Sequence, residues 1–173
     1  MGFILKIENI VKEVEFSQKV GGKAYNLCLL KKAGYNIPHC FVLTTDAYEE
    51  FLHFNGLKDK IRGILEGTDF ENLNFKSLLL KRVIMAGEIP VGVKEEIEEN
   101  IKQLVFPFYA VRSSAVGEDS LCVSFAGAHD SFLGVPKEEI FEAIKKCWAS
   151  LYNPSAIFLR LEVVYVFPIP RNV

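Results

Sequence analysis

Residues 110–127 read AVRSSAVGEDSLCVSFAG: one arginine, four serines, two glycines and an adjacent acidic pair, with no lysine. Such a set suits phosphate oxygens. Hydroxyls and backbone N–H groups donate to them, and a guanidinium adds a charged bidentate contact. Arg112 stands near the end of FYAVRSS, which is expected to form a buried strand over 108–114 that turns polar at its end. An arginine there must be paired or face a cleft, because an unpaired buried charge is costly. Gly117 and Gly127 let the backbone approach a ligand closely. The same residues also suit a hairpin loop in which Arg112 pairs with Glu118 or Asp119, and their spacing leaves both arrangements open.

Residues 21–23, GGK, pose a similar choice. Glycines at a helix start beside a lysine can hold an anion through the helix dipole and the ammonium together. An ordinary helix start with a solvated Lys23 has the same sequence. The GxxxxGK[ST] spacing of a Walker A loop is missing. His39, His53 and His129 are isolated, and only His129 lies near the polar loop, as a lone candidate base. No Ser–His–Asp or Cys–His arrangement is visible. The four cysteines, at 28, 40, 122 and 147, form no CxxC pair and have no histidine at zinc-ligand spacing. They are expected to be small core residues in a reducing compartment, and no metal site is expected.

The elements that must position these residues follow from periodicity. Residues 3–7 form a short strand or a lead-in. Ala24, Leu27, Cys28, Leu30 and Ala33 recur at helical spacing from Lys23 onward, with Gly34 as the stop. Cys40–Leu43 is a short apolar strand. A helix then follows, capped by Thr44 or Thr45 or by an Asp46/Glu49 box, with Phe51, Leu52 and Phe54 as its apolar face. Residues 57–87 give one or two helices with Leu78, Leu79, Val83 and Ile84 inward, and 91–104 an amphipathic helix with a solvated acidic face. SFLGV, 131–135, is a strand expected to pair with the one ending at Arg112. Pro136 sits at the first position of a helix striped by Ile140, Ile144, Cys147, Trp148 and Leu151, read as core packing. A last helical stretch is expected from 154 to about 161, followed by an extended tail.

The chain has 173 residues, half of them hydrophobic, with 14 Phe and a formal net charge of −2. That is ample material for a core and argues against disorder. The charge balance gives no electrostatic reason to expect nucleic acid or an acidic membrane as a partner. The N-terminus is too charged for a signal peptide, and no apolar run approaches the ~20 residues of a membrane span. A soluble cytoplasmic protein is expected.

Three stretches go further. GGKAYNLCLLKKAGYNIPHCFVLTTDAYEEFL resembles the opening of the ATP-binding domain shared by phosphoenolpyruvate synthase, pyruvate phosphate dikinase and rifampicin phosphotransferase. YAVRSSAVGEDSLCVSFAGAHDSFLGV is similar to that domain's phosphate-loop segment, and IKKCWASLYNPSAIFLR to the helix pair after it. They occur in the family's order over about residues 19–160, which is more specific than any one alone. The resemblance implies an α+β fold, the N-terminal part of an ATP-grasp-like domain, with helices on a small, mostly antiparallel sheet. It implies that Lys23 and Arg112 contact ATP phosphates and carry the catalytic role of positioned cations. It implies that Ser113, Ser114, Glu118, Asp119 and the run from Ser124 to Gly127 shape the loop over them, with Ser131 near the phosphates or base. In such enzymes ATP phosphorylates a histidine on a swivelling domain, and another domain passes the phosphoryl group to pyruvate or a similar acceptor.

The sequence departs from the family's pattern in places. His39–Cys40 replaces its usual Pro-Gly, Ala128 its usual Gln after FAG, and Leu121 its usual Pro after the acidic pair. The second lobe, expected to carry the magnesium-binding carboxylate and the adenine pocket, would begin after residue 160. The expectation is therefore a lobe over 1–162 with a divergent tail over 163–173. Such a lobe is a fragment, part of a split gene or a truncated paralogue, catalytically incomplete alone. The alternatives are a non-catalytic nucleotide- or partner-binding module, or a piece of a rifampicin-phosphotransferase-like enzyme. Its expected ligands are ATP with Mg, and its expected partners are the missing lobe and histidine domain. Self-association, or coverage by its own tail, is expected for the face such a lobe leaves open.

Overall fold

The computed structural model of this protein describes residues 2–7, 13–113 and 130–158, and of residues 13–19 only the backbone. Strand β1 (Ile4–Lys6) pairs antiparallel with β2 (Phe41–Leu43), Ile4 opposite Leu43 and Lys6 opposite Phe41. Between them runs helix α1 (Glu13–Lys32), broken at Gly21, whose φ of 69° and ψ of 170° are non-helical. Glycine reaches that conformation without the Cβ clash other residues meet. The expected helix from Lys23 is therefore the second segment of α1. A helical segment before the glycines was not expected. Ala24 and Cys28 are buried, but Leu30 and Ala33 are exposed, so only part of the expected stripe packs.

The end of α1 follows from Gly34. At φ 85° its N–H bonds to the Lys31 carbonyl, and the Tyr35 N–H reaches back to Leu30. This is the paired closure that a left-handed residue after a helix allows. Helix α2 (Thr45–Phe54) follows β2 with Thr44 at its N-cap, but no side-chain cap bond forms. The Thr44 hydroxyl donates instead to the Phe3 carbonyl, tying the helix start to β1. Phe51 and Leu52 are buried as expected, whereas Phe54 is exposed. Residues 57–87 give two helices, α3 (Leu57–Leu65) and α4 (Leu73–Ala86). The buried stripe of α4 is Leu73, Ser77, Leu80 and Ile84, and the expected inward Leu78 points to solvent. Within a continuous LLL run, periodicity gives no preference for one leucine, and the packing partner selects Leu80.

Helix α5 (Val91–Gln103) buries Val93, Ile97 and Ile101. Its acidic face is not wholly solvated, because the Glu96 carboxylate accepts the N–H groups of Phe3 at 2.8 Å and Ile4 at 3.1 Å. Strand β3 (Tyr109–Arg112) pairs antiparallel with β4 (Ser131–Val135), the pairing expected, with a bulge between Tyr109 and Val111. After Pro136 comes one 3-10 turn, Lys137–Glu139, so this proline precedes helix α6 (Ile140–Ser150) by more than a cap position. Residues 154–158 are again helical.

The fold is mixed: helices with small antiparallel sheets. Among the described residues the strands form two separate two-stranded sheets, not one. The expected buried strand over 108–114 is also corrected. β3 alternates between half-buried and exposed positions, since α6 packs against its sheet and leaves other positions open. The main core is built from α2, α4, α5 and α6, with Phe51, Leu80, Ile84, Val93 and Ile97 fully enclosed. Phe51 and Trp148 touch with ring centroids 4.7 Å apart. A smaller, separate cluster joins α1 to the β1–β2 sheet through Ile7 and Cys28. Exposed apolar side chains include Val105, Phe106, Phe108 and Leu133. Among the described residues no helix is long and apolar enough to cross a membrane.

Candidate functional site

Lys23 lies two residues past the break in α1, and Arg112 is the last residue of β3. Although 89 positions apart in sequence (112 − 23), they line one cavity of about 600 Å³. One wall is α1, with Lys23, Leu27 and Leu30. β2 with the start of α2, and the end of β3 with α6, line the rest. The half-buried Lys23 ammonium donates to the Ser113 carbonyl at 3.2 Å, spanning from α1 to the end of β3. Arg112 is exposed at the cavity rim, so its charge stays hydrated.

Ser113 also lines the cavity and is only 7% exposed. Its hydroxyl has no hydrogen-bond partner among the described residues. A buried unsatisfied hydroxyl carries a cost of about 1–3 kcal/mol, so a ligand oxygen that reached it would be bound with advantage. Ser131 is the β-ladder partner of Arg112. Residues directly opposite on a ladder share a face, so strand pairing brings these two side by side. Ser131 does not line the cavity itself. Ser114, Glu118, Asp119, Ser124, Gly127 and His129 lie outside the described residues. His39 and His53 are exposed and line no part of the cavity.

Periodicity marked the α6 stripe as core, and it is that, yet Cys147 and Trp148 also line the cavity beside Tyr48. A helical stripe cannot reveal that one end of a packed face opens onto a hollow. The Cys147 thiol faces the Val111 carbonyl at 3.6 Å and the Asp130 carbonyl at 4.0 Å. Burial pushes this thiol up to about 12, the Asp130 carboxylate adds to the rise, and the Lys23 ammonium opposes it. It is therefore a protonated packing group and not a nucleophile at neutral pH. Asp130 in turn accepts from the Asn153 side-chain amide at 3.2 Å, which fixes the start of β4 to the segment after α6.

The family model described as "Pyruvate phosphate dikinase, AMP/ATP-binding domain" matches residues 17–165. The chain belongs to this family. The matched span of this AMP/ATP-binding domain includes Lys23 and Arg112, which line the cavity, and Ser131. Among its relatives, the rifampicin phosphotransferase of Bacillus cereus is 37% identical over 92% of this chain and 19% of its own length. The probable phosphoenolpyruvate synthase of Methanocaldococcus jannaschii is 36% identical over 92% of this chain and 14% of its own. The phosphoenolpyruvate synthase of Aquifex aeolicus is 38% identical over 76% of this chain and 16% of its own. The chain thus spans less than a fifth of the length of these relatives.

Proposed function

We propose that this chain is the ATP-binding lobe of a phosphoenolpyruvate-synthase-like phosphotransferase, one half of an ATP-grasp-type site. The lobe covers residues 1–162, with 163–173 as a divergent tail. The observation that carries the proposal is the shared cavity of Lys23 and Arg112 in a domain whose family binds AMP or ATP. In this reading the ammonium and guanidinium hold the triphosphate oxygens, Ser113, Ser114, Glu118, Asp119 and the run from Ser124 to Gly127 shape the loop over them, and Ser131 stands near the phosphates or base. Phosphoryl transfer of this kind relies on positioned cations around developing charge more than on a protein nucleophile. Lys23 and Arg112 supply that here.

The phosphoryl group goes to a histidine on a separate domain, and none of His39, His53 or His129 is assigned that role. Magnesium is expected to accompany the nucleotide. Its ligands are proposed to come from the second lobe. The acceptor, pyruvate or an antibiotic, is assigned to the parts of the relatives that this chain does not span. The lobe alone is proposed to bind nucleotide without turnover and to self-associate through its exposed apolar face.

Calorimetry with Mg-ATP tests this. The chain is expected to bind more tightly than ~1 mM, a threshold of about 4 kcal/mol. Arg112→Ala is expected to weaken binding by ~10- to 100-fold, the ~1.5–3 kcal/mol of a hydrogen bond to a charged group. No heat with the wild-type chain, or equal affinity in the variant, would overturn the assignment.

A further inference from the structure

The turn between α2 and α3 holds a reactive pair that the nucleotide reading does not use. Asn55 is the chain's only asparagine followed by glycine. An Asn–Gly step loses its side-chain amide most readily, because glycine puts no side chain in the way of attack by its own backbone nitrogen. The fold opposes that attack on three counts. The half-buried Asn55 side chain is clamped: its Nδ2 donates to the Phe51 and Glu88 carbonyls, both at 2.8 Å, and its Oδ1 accepts the Glu88 N–H at 2.9 Å. The nucleophile, the Gly56 N–H, is engaged by the His53 carbonyl at 3.0 Å. Ring closure also needs the Asn55 Cβ and the Gly56 nitrogen eclipsed about the Cα–C bond, and at ψ 1° they stand far from that.

We propose that Asn55–Gly56 is a latent deamidation site, shut in the folded chain and released when the α2–α3 turn comes away from the connection between α4 and α5. In the opened turn the Gly56 nitrogen attacks the Asn55 Cγ. The N–Cγ bond forms, the Cγ–Nδ2 bond breaks, and the amide nitrogen leaves as ammonia with the proton that Gly56 gave up. Water then adds to either carbonyl of the five-membered imide, and a ring C–N bond breaks to give aspartate or isoaspartate. One water is consumed and one ammonia released, with nothing oxidised or reduced. The product does not fit the clamp it came from. A carboxylate can still accept the Glu88 N–H, but it has no N–H to give, so its other oxygen faces the Phe51 and Glu88 carbonyls. Isoaspartate further lengthens the main chain by a methylene. Conversion therefore loosens the turn that had prevented it. Phe51 is fully enclosed and packs on Trp148, so the clamp ties this turn to the main core.

The test needs no nucleotide, so its failure and a failure of the ATP assignment are distinguishable. The 173-residue chain is incubated at one mildly alkaline pH, with and without denaturing urea. Deamidated peptides are quantified by mass spectrometry, and isoaspartate by labelling with isoaspartyl methyltransferase. In urea Asn55 is expected to convert ahead of every other asparagine, and in the folded chain at least ~10-fold more slowly, because the turn must open first. Gly56→Ala is expected to slow the reaction in urea several-fold. Asn55→Asp, which carries the product carboxylate from the start, is expected to lower the urea midpoint. The rate comparison uses the wild-type chain and stands whether or not that variant folds. Equal rates with and without urea, another asparagine converting first in urea, or an Asn55→Asp chain with the wild-type midpoint would overturn the proposal.

Discussion

The role proposed for Arg112 rests on its surroundings. Arg112 is exposed at the rim and is the ladder partner of Ser131, so removing it should cost affinity and not stability. Arg112→Ala is expected to keep the wild-type melting temperature while losing ATP. Arg112→Lys should restore only part of the binding, since an ammonium lacks the planar fork that grips two phosphate oxygens. Full rescue by lysine would mean that only charge matters there. Cys147 is the opposite case, buried and held protonated with a value raised from 9.0 to about 12. A group that binds its proton more tightly when folded contributes stability below its unfolded value and loses it as pH rises through the folded one. Between pH 9 and about 12 the wild-type chain should therefore lose more stability than Cys147→Ala, as read from urea midpoints. Parallel curves would contradict the buried, protonated thiol.

At the scale of elements, polar contacts over long sequence distances hold the ends of secondary structure. Strand β1 is only three residues long, and its entry depends on the Glu96 carboxylate of α5. Glu96→Ala leaves two N–H groups without that acceptor and is expected to cost about 1–3 kcal/mol. Hydrogen exchange at Phe3 and Ile4 should rise in the same variant, while α5 keeps its protection. Two glycines should respond differently to alanine. At Gly34 a Cβ has open space, but φ is +85°, so the cost is that of the left-handed backbone, about 1–2 kcal/mol. At Gly87 a Cβ would lie 2.6 Å from the Phe51 ring and 3.3 Å from the Ile84 carbonyl, so the cost is overpacking, about 1–3 kcal/mol. Phe51→Leu should relieve the Gly87→Ala defect in a double-mutant cycle and leave that of Gly34→Ala unchanged.

For the whole molecule, the single tryptophan is a built-in reporter. Trp148 packs on Phe51 and Tyr48 and also lines the cavity, so occupancy should change its emission. A saturable change with ATP that disappears in Arg112→Ala would show that Arg112 and Trp148 face one bound nucleotide. No change at saturating nucleotide would place the ligand elsewhere. Val105, Phe106, Phe108 and Leu133 are exposed, and the proposed self-association would use such apolar side chains. Light scattering is expected to show species larger than a monomer, shifting toward monomer in Val105→Lys/Leu133→Lys.

The sequence by itself determined most of the elements and the family. Helical spacing and Gly34 marked the second part of α1, the 91–104 stripe marked α5, and the FYAVRSS and SFLGV segments marked the paired strands. These signals are local, because capping, turn chemistry and periodicity act over a few residues. The tertiary structure decided what no local pattern carries. It chose Leu80 over Leu78 for the core, turned Glu96 from a solvated charge into a clasp, and split the described strands into two sheets. It also brought Lys23 and Arg112 to one hollow, because the facing of a helix start and a strand end is fixed only when the elements pack.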